Sequence, residues 1–248
     1  MTQKEYKTMA ETGHAKNVEN WQKMIAACTG FGGDYKPSNV NLTVASMTTL
    51  LTDVETEMDG VQTSIVPWKN KVADRENIYT GVRPRTTQML AAFKASGAAA
   101  NKVDNMKTYQ RQVHGARAKA KPVDDPNTPG DESKGNSVSH QSYVQIAESF
   151  GQMVALAAGE PLYTPNEAHL TVATNTTLHT DMETANDDVI GAVPAWKNSM
   201  ASRDARLYDD ADSIYERQKL VKEYVKSLYG ASSPQYAQVK GLEFKKVK

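Results

Sequence analysis

Phenylalanine and cysteine are scarce in this 248-residue chain, with four and one respectively. A single thiol, Cys28, allows no internal disulfide and no cysteine cage for zinc, and it reads as a small buried hydrophobe. Net charge is absent too: 29 basic residues face 29 acidic ones, which argues against wholesale attachment to a phosphate backbone. The longest apolar runs, such as Met153-Val154-Ala155-Leu156-Ala157-Ala158, fall far short of the roughly 20 residues that a membrane helix requires. The polar N-terminus lacks the apolar region of a secretory signal, so the expected location is the cytoplasm, or the chain is a mature form whose leader was removed. No Gly-x-Ser-x-Gly elbow, Walker-type loop or His-Glu-x-x-His motif occurs. Catalytic residues, cofactor and metal are therefore all expected to be none, and the chain is expected not to be an enzyme.

Sustained alternation of apolar and polar residues is also missing, and the hydrophobic share is only 39%. Long helices with one buried stripe suit such a composition better than sheets covered on both faces.

The chain does contain a repeat. Residues 35–76 align without a gap on residues 163–204, with 20 of 42 positions identical. Tyr35, Pro37 and Leu42-Thr43-Val44-Ala45 match Tyr163, Pro165 and Leu170-Thr171-Val172-Ala173. Trp68-Lys69-Asn70 matches Trp196-Lys197-Asn198, and Arg75 matches Arg203. With single-residue gaps, Glu19, Trp21 and Met24 pair with Glu148, Phe150 and Met153, and Tyr79 pairs with Tyr208. A search for internal repeats thus divides the chain into repeat 1 over 1–118, a Pro-, Gly- and Asp-rich flexible linker over 119–137, and repeat 2 over 138–248.

Within a repeat, Ser38 or Asn39 reads as an N-cap, as does Thr164 before Pro165. Leu50, Val54, Val61 and Ile65 form a helical stripe that Leu178, Met182, Val189 and Val193 reproduce. Pro67 and Pro194 predict a kink or short break. One further helix is expected over roughly 84–112 and another near 212–229, with residues 233–242 docked as an extended tail. The expected fold is all-α: a tandem duplication of an antiparallel three- or four-helix bundle with pseudo-twofold symmetry.

Candidate functional residues follow from what the copies share. Thr49, Thr52, Thr56 and Asp59 recur as Thr177, Thr180, Thr184 and Asp187, a stripe of short polar side chains at heptad spacing. It reads as a close helix–helix interface or, alternatively, as a groove lined by hydroxyls and carboxylates. Trp68 and Arg75, with Trp196 and Arg203, stand seven apart and share a helix face; they read as bundle packing or as a small-ligand pocket. Asp53 with Glu55, and Asp181 with Glu183, diverge by about 200° on a helix and so cannot both ligate one ion. A di-iron bundle would need two facing Glu-x-x-His elements; only Glu11-Thr12-Gly13-His14 fits.

The zero charge is an average. Residues 82–121 carry nine Lys or Arg against Asp104 alone, a balance of +8, and residues 204–216 carry five acids against Arg206, a balance of −4. Opposed patches predict docking of copies or of molecules, with nucleic acid on the basic helix as a rival.

Arg203, Leu207, Tyr208, the run from Val221 to Gly230 and Ser233-Pro234-Gln235-Tyr236 resemble a group of uncharacterised bacterial helical proteins over residues 203–244. That resemblance implies a bacterial, all-helical, non-enzymatic protein and carries no activity. The overall expectation is a structural or protein-interaction module that self-associates as a homo-oligomer. A helical bundle binding a small ligand or metal is the first alternative, and nucleic-acid binding the second.

Overall fold

A computed structural model describes residues 9–115 and 141–247, and the described residues are helical with no strand. The predicted linker, 119–137, lies outside them. Eight α-helices occur in the described residues: α1 (Met9–Gly30), α2 (Val44–Thr80), α3 (Val82–Ala95), α4 (Ala100–His114), α5 (Tyr143–Ala158), α6 (Val172–Asp204), α7 (Ile214–Tyr229) and α8 (Pro234–Lys240). The all-α expectation holds.

Capping explains several boundaries. The Ser142 hydroxyl accepts from the Gln145 amide, that of Ser213 from Glu216 and that of Ser233 from Tyr236, each satisfying one orphan donor of a first helical turn. Asn39 is the expected cap, its side chain accepting from the Asn41 amide, but of a 3₁₀ turn, and the cap expected at 164 is displaced. Short 3₁₀ turns, Val40–Leu42 and Ala168–Leu170, intervene; the long helices start after Thr43 and Thr171, whose hydroxyls accept from the Ser46 and Thr174 amides.

Of the kink or short break expected at the prolines the short break does not occur, and two further expectations are corrected. Neither Pro67 nor Pro194 breaks its helix. Each proline is exposed, as are Thr63 and Ile190 four residues before, so water can satisfy the carbonyl that loses its amide partner. The single helix expected over 84–112 is two, because Gly97 takes φ +83°, a conformation nearly reserved for glycine. The tail over 233–242 contains α8 instead of being extended, since Pro234 occupies the first helical position, where its missing amide costs nothing.

The units of packing are not the sequence repeats 1–118 and 138–248. One compact unit comprises Met1–Pro67 with Val193–Lys248, and the other Trp68–Ala192. The boundaries fall inside α2 and α6, beside their prolines, so each unit combines the first part of one repeat with the second part of the other. The reason is the length of α2 and α6: an unbroken helix of 37 or 33 residues cannot fold back on its own beginning.

Unit one has a core of Trp21, Met24, Met47, Val54, Leu207, Ile214 and Val221, with Cys28 and Tyr35 beside them. Unit two has Phe93, Phe150 and four methionines, Met89, Met106, Met153 and Met182, each no more than 1% exposed. Flexible thioethers fill irregular gaps, which is how a chain with four phenylalanines closes a second core.

Candidate functional site

The repeated stripe is a surface. Thr49, Thr52, Thr56, Asp59, Thr177, Thr180, Thr184 and Asp187 are all exposed. Thr49, Thr52, Thr56 and Thr177 donate to the carbonyl four residues earlier, at 2.8–3.2 Å. A hydroxyl bound to its own helix leaves mainly the methyl group and a low profile for a neighbour.

The Trp and Arg candidates divide by unit. In unit two, Trp68 and Arg75 are half-buried, and the Arg75 guanidinium carbon lies 4.0 Å above the Tyr143 ring, a cation–π contact. In unit one, Trp196 and Arg203 are buried, and the Arg203 guanidinium meets the Asp204 carboxylate at 2.8 Å. A π-helical turn follows at Ala205–Asp209. Its extra residue accounts for the gap between the Arg75/Arg203 and Tyr79/Tyr208 pairings. Tyr208 lies 2.7 Å from His14 Nδ1 and accepts from Asn17 at 3.0 Å. Tyr79 donates to the Tyr143 carbonyl and accepts from Asn186 at 2.9 Å.

Beside each first helix runs a groove. In unit one it lies between α1 and α2, has a volume of about 220 Å³ and is lined by Val18, Glu19, Gln22, Glu55, Met58 and Asp59. Gln22 donates to Glu55 at 2.9 Å. Glu19 accepts from Lys16 and Lys23, and these two ammonium groups pull its carboxyl down to about 2. In unit two the groove lies between α5 and α6 and measures about 800 Å³; Ala147, Glu148, Gly151, His179, Glu183 and Asp187 line it, with Asn186. His179 Nε2 stands 3.7 Å from Glu183 Oε1. A Cβ on Gly151 would come within 2.5 Å of that same nitrogen, so glycine is what admits the imidazole.

Sequence reasoning singled out Glu183 and Asp187 but missed the groove that joins them to Glu148. The signal was the pattern of differences between repeats: Gln22, Leu51 and Met58 of repeat 1 are Gly151, His179 and Asn186 of repeat 2. Among the described residues no three of His, Cys, Asp and Glu are placed to hold one metal ion.

The charged stretches are largely engaged within the chain. Arg83 donates to Gln141, Lys102 pairs with Glu160, and Lys107 with Asp104; Arg117, Lys119 and Lys121 lie outside the described residues. Asp209 pairs with Lys246, Asp212 with Arg217 and Glu216 with Lys219. Two arginines are clamps. Arg217, 7% exposed, donates to the Asn41 carbonyl at 3.1 Å, to Ser46 Oγ at 3.0 Å and to Asp212. Arg85 donates to the carbonyl of His169, the residue that aligns with Asn41. An arginine fixed on a backbone carbonyl is removed from the surface available to phosphate.

Cys28 is buried, and burial pushes its thiol up to about 11, which keeps it unreactive at neutral pH. No helix among the described residues is long and apolar enough to cross a membrane. No protein-family model matches the chain, and no curated protein or solved structure shows significant similarity to it.

Proposed function

We propose that this protein is a non-enzymatic interaction module that self-associates through the threonine-lined faces of α2 and α6. In this reading the chain is a tandem duplication whose copies are related by a pseudo-twofold. The observation that carries it is the exposure of Thr49, Thr52, Thr56 and Asp59 and of their counterparts Thr177, Thr180, Thr184 and Asp187. Exposed positions away from special features tolerate substitution within about ±0.5 kcal/mol. Identity at all four aligned positions, between repeats that differ at 22 of 42, calls for a constraint outside the chain's own packing.

Short side chains with back-bonded hydroxyls let a second helix approach closely, because interaxial distance follows the side chains at the contact. Internal pairing of most charges near α3, α4 and α7 favours this face over opposed electrostatic patches as the means of association. The module is thus expected to assemble with little dependence on salt.

Sedimentation velocity across a dilution series, at low and high salt, tests the reading. The expected result is a concentration-dependent oligomer that T52R/T180R converts to monomer with an unchanged helical spectrum and melting profile. A strict monomer at every concentration overturns it.

A further inference from the structure

The arginines Arg217 and Arg85, each fixed on the carbonyl before a long helix, set which residues of α7 and α3 correspond. At that offset of 132, buried Ile214, Gln218, Val221 and Val225 fall on buried Val82, Thr86, Met89 and Phe93. A difference then stands out at the loop that follows the first helix of each unit. In unit one, four rings fill the space between this loop and α7. Tyr35 and Tyr224 meet edge to face at 5.3 Å, and Phe31 lies 5.3 Å from Tyr229 and 6.4 Å from Tyr35. Phe31, Tyr224 and Tyr229 are half-buried against the core, and the Tyr224 hydroxyl accepts from the Lys36 amide at 3.2 Å.

In unit two only Tyr163 of the four rings has a counterpart. Tyr224 is matched by Ala92, Tyr229 by Gly97, and Phe31 by the pair Gly159-Glu160. The loop nevertheless keeps its form: Tyr163 donates to the Leu170 carbonyl as Tyr35 does to Leu42, and Arg85 holds the His169 carbonyl. With the backbone held and three rings missing, a cavity of about 550 Å³ lies between α3 and the loop 162–170, within the roughly 300–1,000 Å³ usual for small-molecule sites. Ala91, Ala92 and Ala95 line it from α3, and Leu162 and Tyr163 from the loop.

The mouth of the cavity differs in the same direction. Leu162 is 56% exposed, and Ala91 and Ala95 are exposed beside it. Their counterparts in unit one are Asp34, Glu223 and Ser227, so three exposed positions are polar where the rings are present and apolar where they are absent. Leu220 and Leu228 are matched the other way, by Gln88 and Ser96, which adds polar side chains to an otherwise apolar wall.

Apolar space left open where a large side chain would stand accepts a molecule of that side chain's shape. Tyr224 supplies the shape, a para-substituted phenol, whose ring would stand against Tyr163 as Tyr224 stands against Tyr35. The hydroxyl must bond differently. The Thr164 amide, aligned with that of Lys36, is already committed to the Leu162 carbonyl at 3.1 Å. An acceptor is available instead: Asn39, which caps the turn Val40–Leu42, is matched by Glu167, whose side chain caps nothing and contributes to the cavity lining. A hydroxyl donating to a carboxylate makes a charge-assisted bond.

We propose that the cavity between α3 and the loop 162–170 binds a small phenol, its ring in the place that Tyr224 takes in unit one and its hydroxyl donating to Glu167. The site uses none of the threonine-lined surface and stands whether or not the chain self-associates.

Titration of the isotope-labelled full chain with 4-methylphenol, the side chain of Tyr224 as a free molecule, tests it by nuclear magnetic resonance. The expected result is a set of saturable shifts centred on Ala91, Ala92, Ala95 and Leu162. Affinity should fall roughly tenfold or more in A92Y, which sets the ring of unit one in the cavity, fall roughly threefold in E167Q, and stay unchanged in E55Q. The shifts in the unaltered protein do not depend on any variant folding. Shifts that fail to saturate or that spread over both units overturn the proposal, as does full affinity in A92Y. Equal binding of 4-methylcyclohexanol overturns the aromatic assignment, and full affinity in E167Q overturns that of the hydroxyl. Shifts of these same residues on diluting the protein alone would also overturn the proposal, and would assign the cavity to a second copy of the chain.

Discussion

Unit one and unit two build the same framework from different residues. In each, a buried tyrosine donates to the carbonyl seven residues ahead at 2.8 Å: Tyr35 to Leu42, and Tyr163 to Leu170. In each, an arginine from the other repeat clamps the carbonyl just before the long helix, Arg217 on Asn41 and Arg85 on His169. The short α8 packs on α7 and α1, as α4 packs on α3 and α5, and Val239 and Val113 are fully buried in the two. Around this constant scaffold the side chains diverge. Trp21, whose indole donates to the Met47 carbonyl at 3.1 Å, is replaced by Phe150, and Met47 itself by the buried amide Asn175. Positions that set loop geometry and helix docking are alike in the two units, while positions facing core gaps or the groove differ in chemistry.

The largest expected effect comes from the first-helix aromatic. Trp21→Ala and Phe150→Ala each remove a fully buried ring and are expected to cost about 3–5 kcal/mol, with the tryptophan variant the worse by about 1 kcal/mol for its lost hydrogen bond. Urea unfolding followed by circular dichroism measures both. A Phe150→Ala cost equal to or above that of Trp21→Ala would show that the indole hydrogen bond does not set the units apart.

The arginine clamps come next. Arg217→Met is expected to destabilise by about 2–3 kcal/mol, since it strips a charged donor from a backbone carbonyl, a serine and a carboxylate; Arg85→Met should cost less because Arg85 lacks the carboxylate. The Asp212 carboxyl is held below its ordinary value of 3.8 by the hydrogen bond from Arg217. A carboxyl depressed by folding stabilises above its unfolded value, and that contribution is lost as pH falls through the lower folded value. Arg217→Met should therefore flatten the fall in stability just below pH 3.8. An unaltered acid limb in the variant would remove Asp212 from the clamp.

The smallest effect should be the most symmetric. Tyr35→Phe and Tyr163→Phe each delete the hydroxyl's bond to the carbonyl seven residues ahead, Tyr35 losing also a weak contact to Met47 Sδ at 3.8 Å, and are expected to cost about 1 kcal/mol apiece. Unequal losses in thermal melts would indicate that the two corners are alike in geometry but not in the packing around them.

Much of this was legible in the residues. The spacing of Leu50, Val54 and Val61 announced a long helix, and the apolar positions from Leu220 to Leu228 announced another where α7 lies. The run from Tyr35 to Arg75 announced the repeat. Less visible was Arg85, counted among the charges of a basic stretch, because the clamp it shares with Arg217 lies beyond the region that aligns on one offset. The groove of unit two was equally hidden, since Glu148 and Glu183 are 35 positions apart in the chain, and Gly151 becomes informative only once His179 is known to stand over it.

Composition and periodicity by themselves determined that the described residues are helical, that no helix among them is long and apolar enough to cross a membrane, and which side chains can enter a core, because hydrophobic spacing and backbone preference act over a few residues. Only the tertiary structure decided that a repeat is not a packing unit. Whether a proline ends a helix depends on whether the freed carbonyl reaches water, and at Pro67 and Pro194 the exposed helix face provides it. With α2 and α6 running on unbroken, each core is closed by the first part of one repeat and the second part of the other.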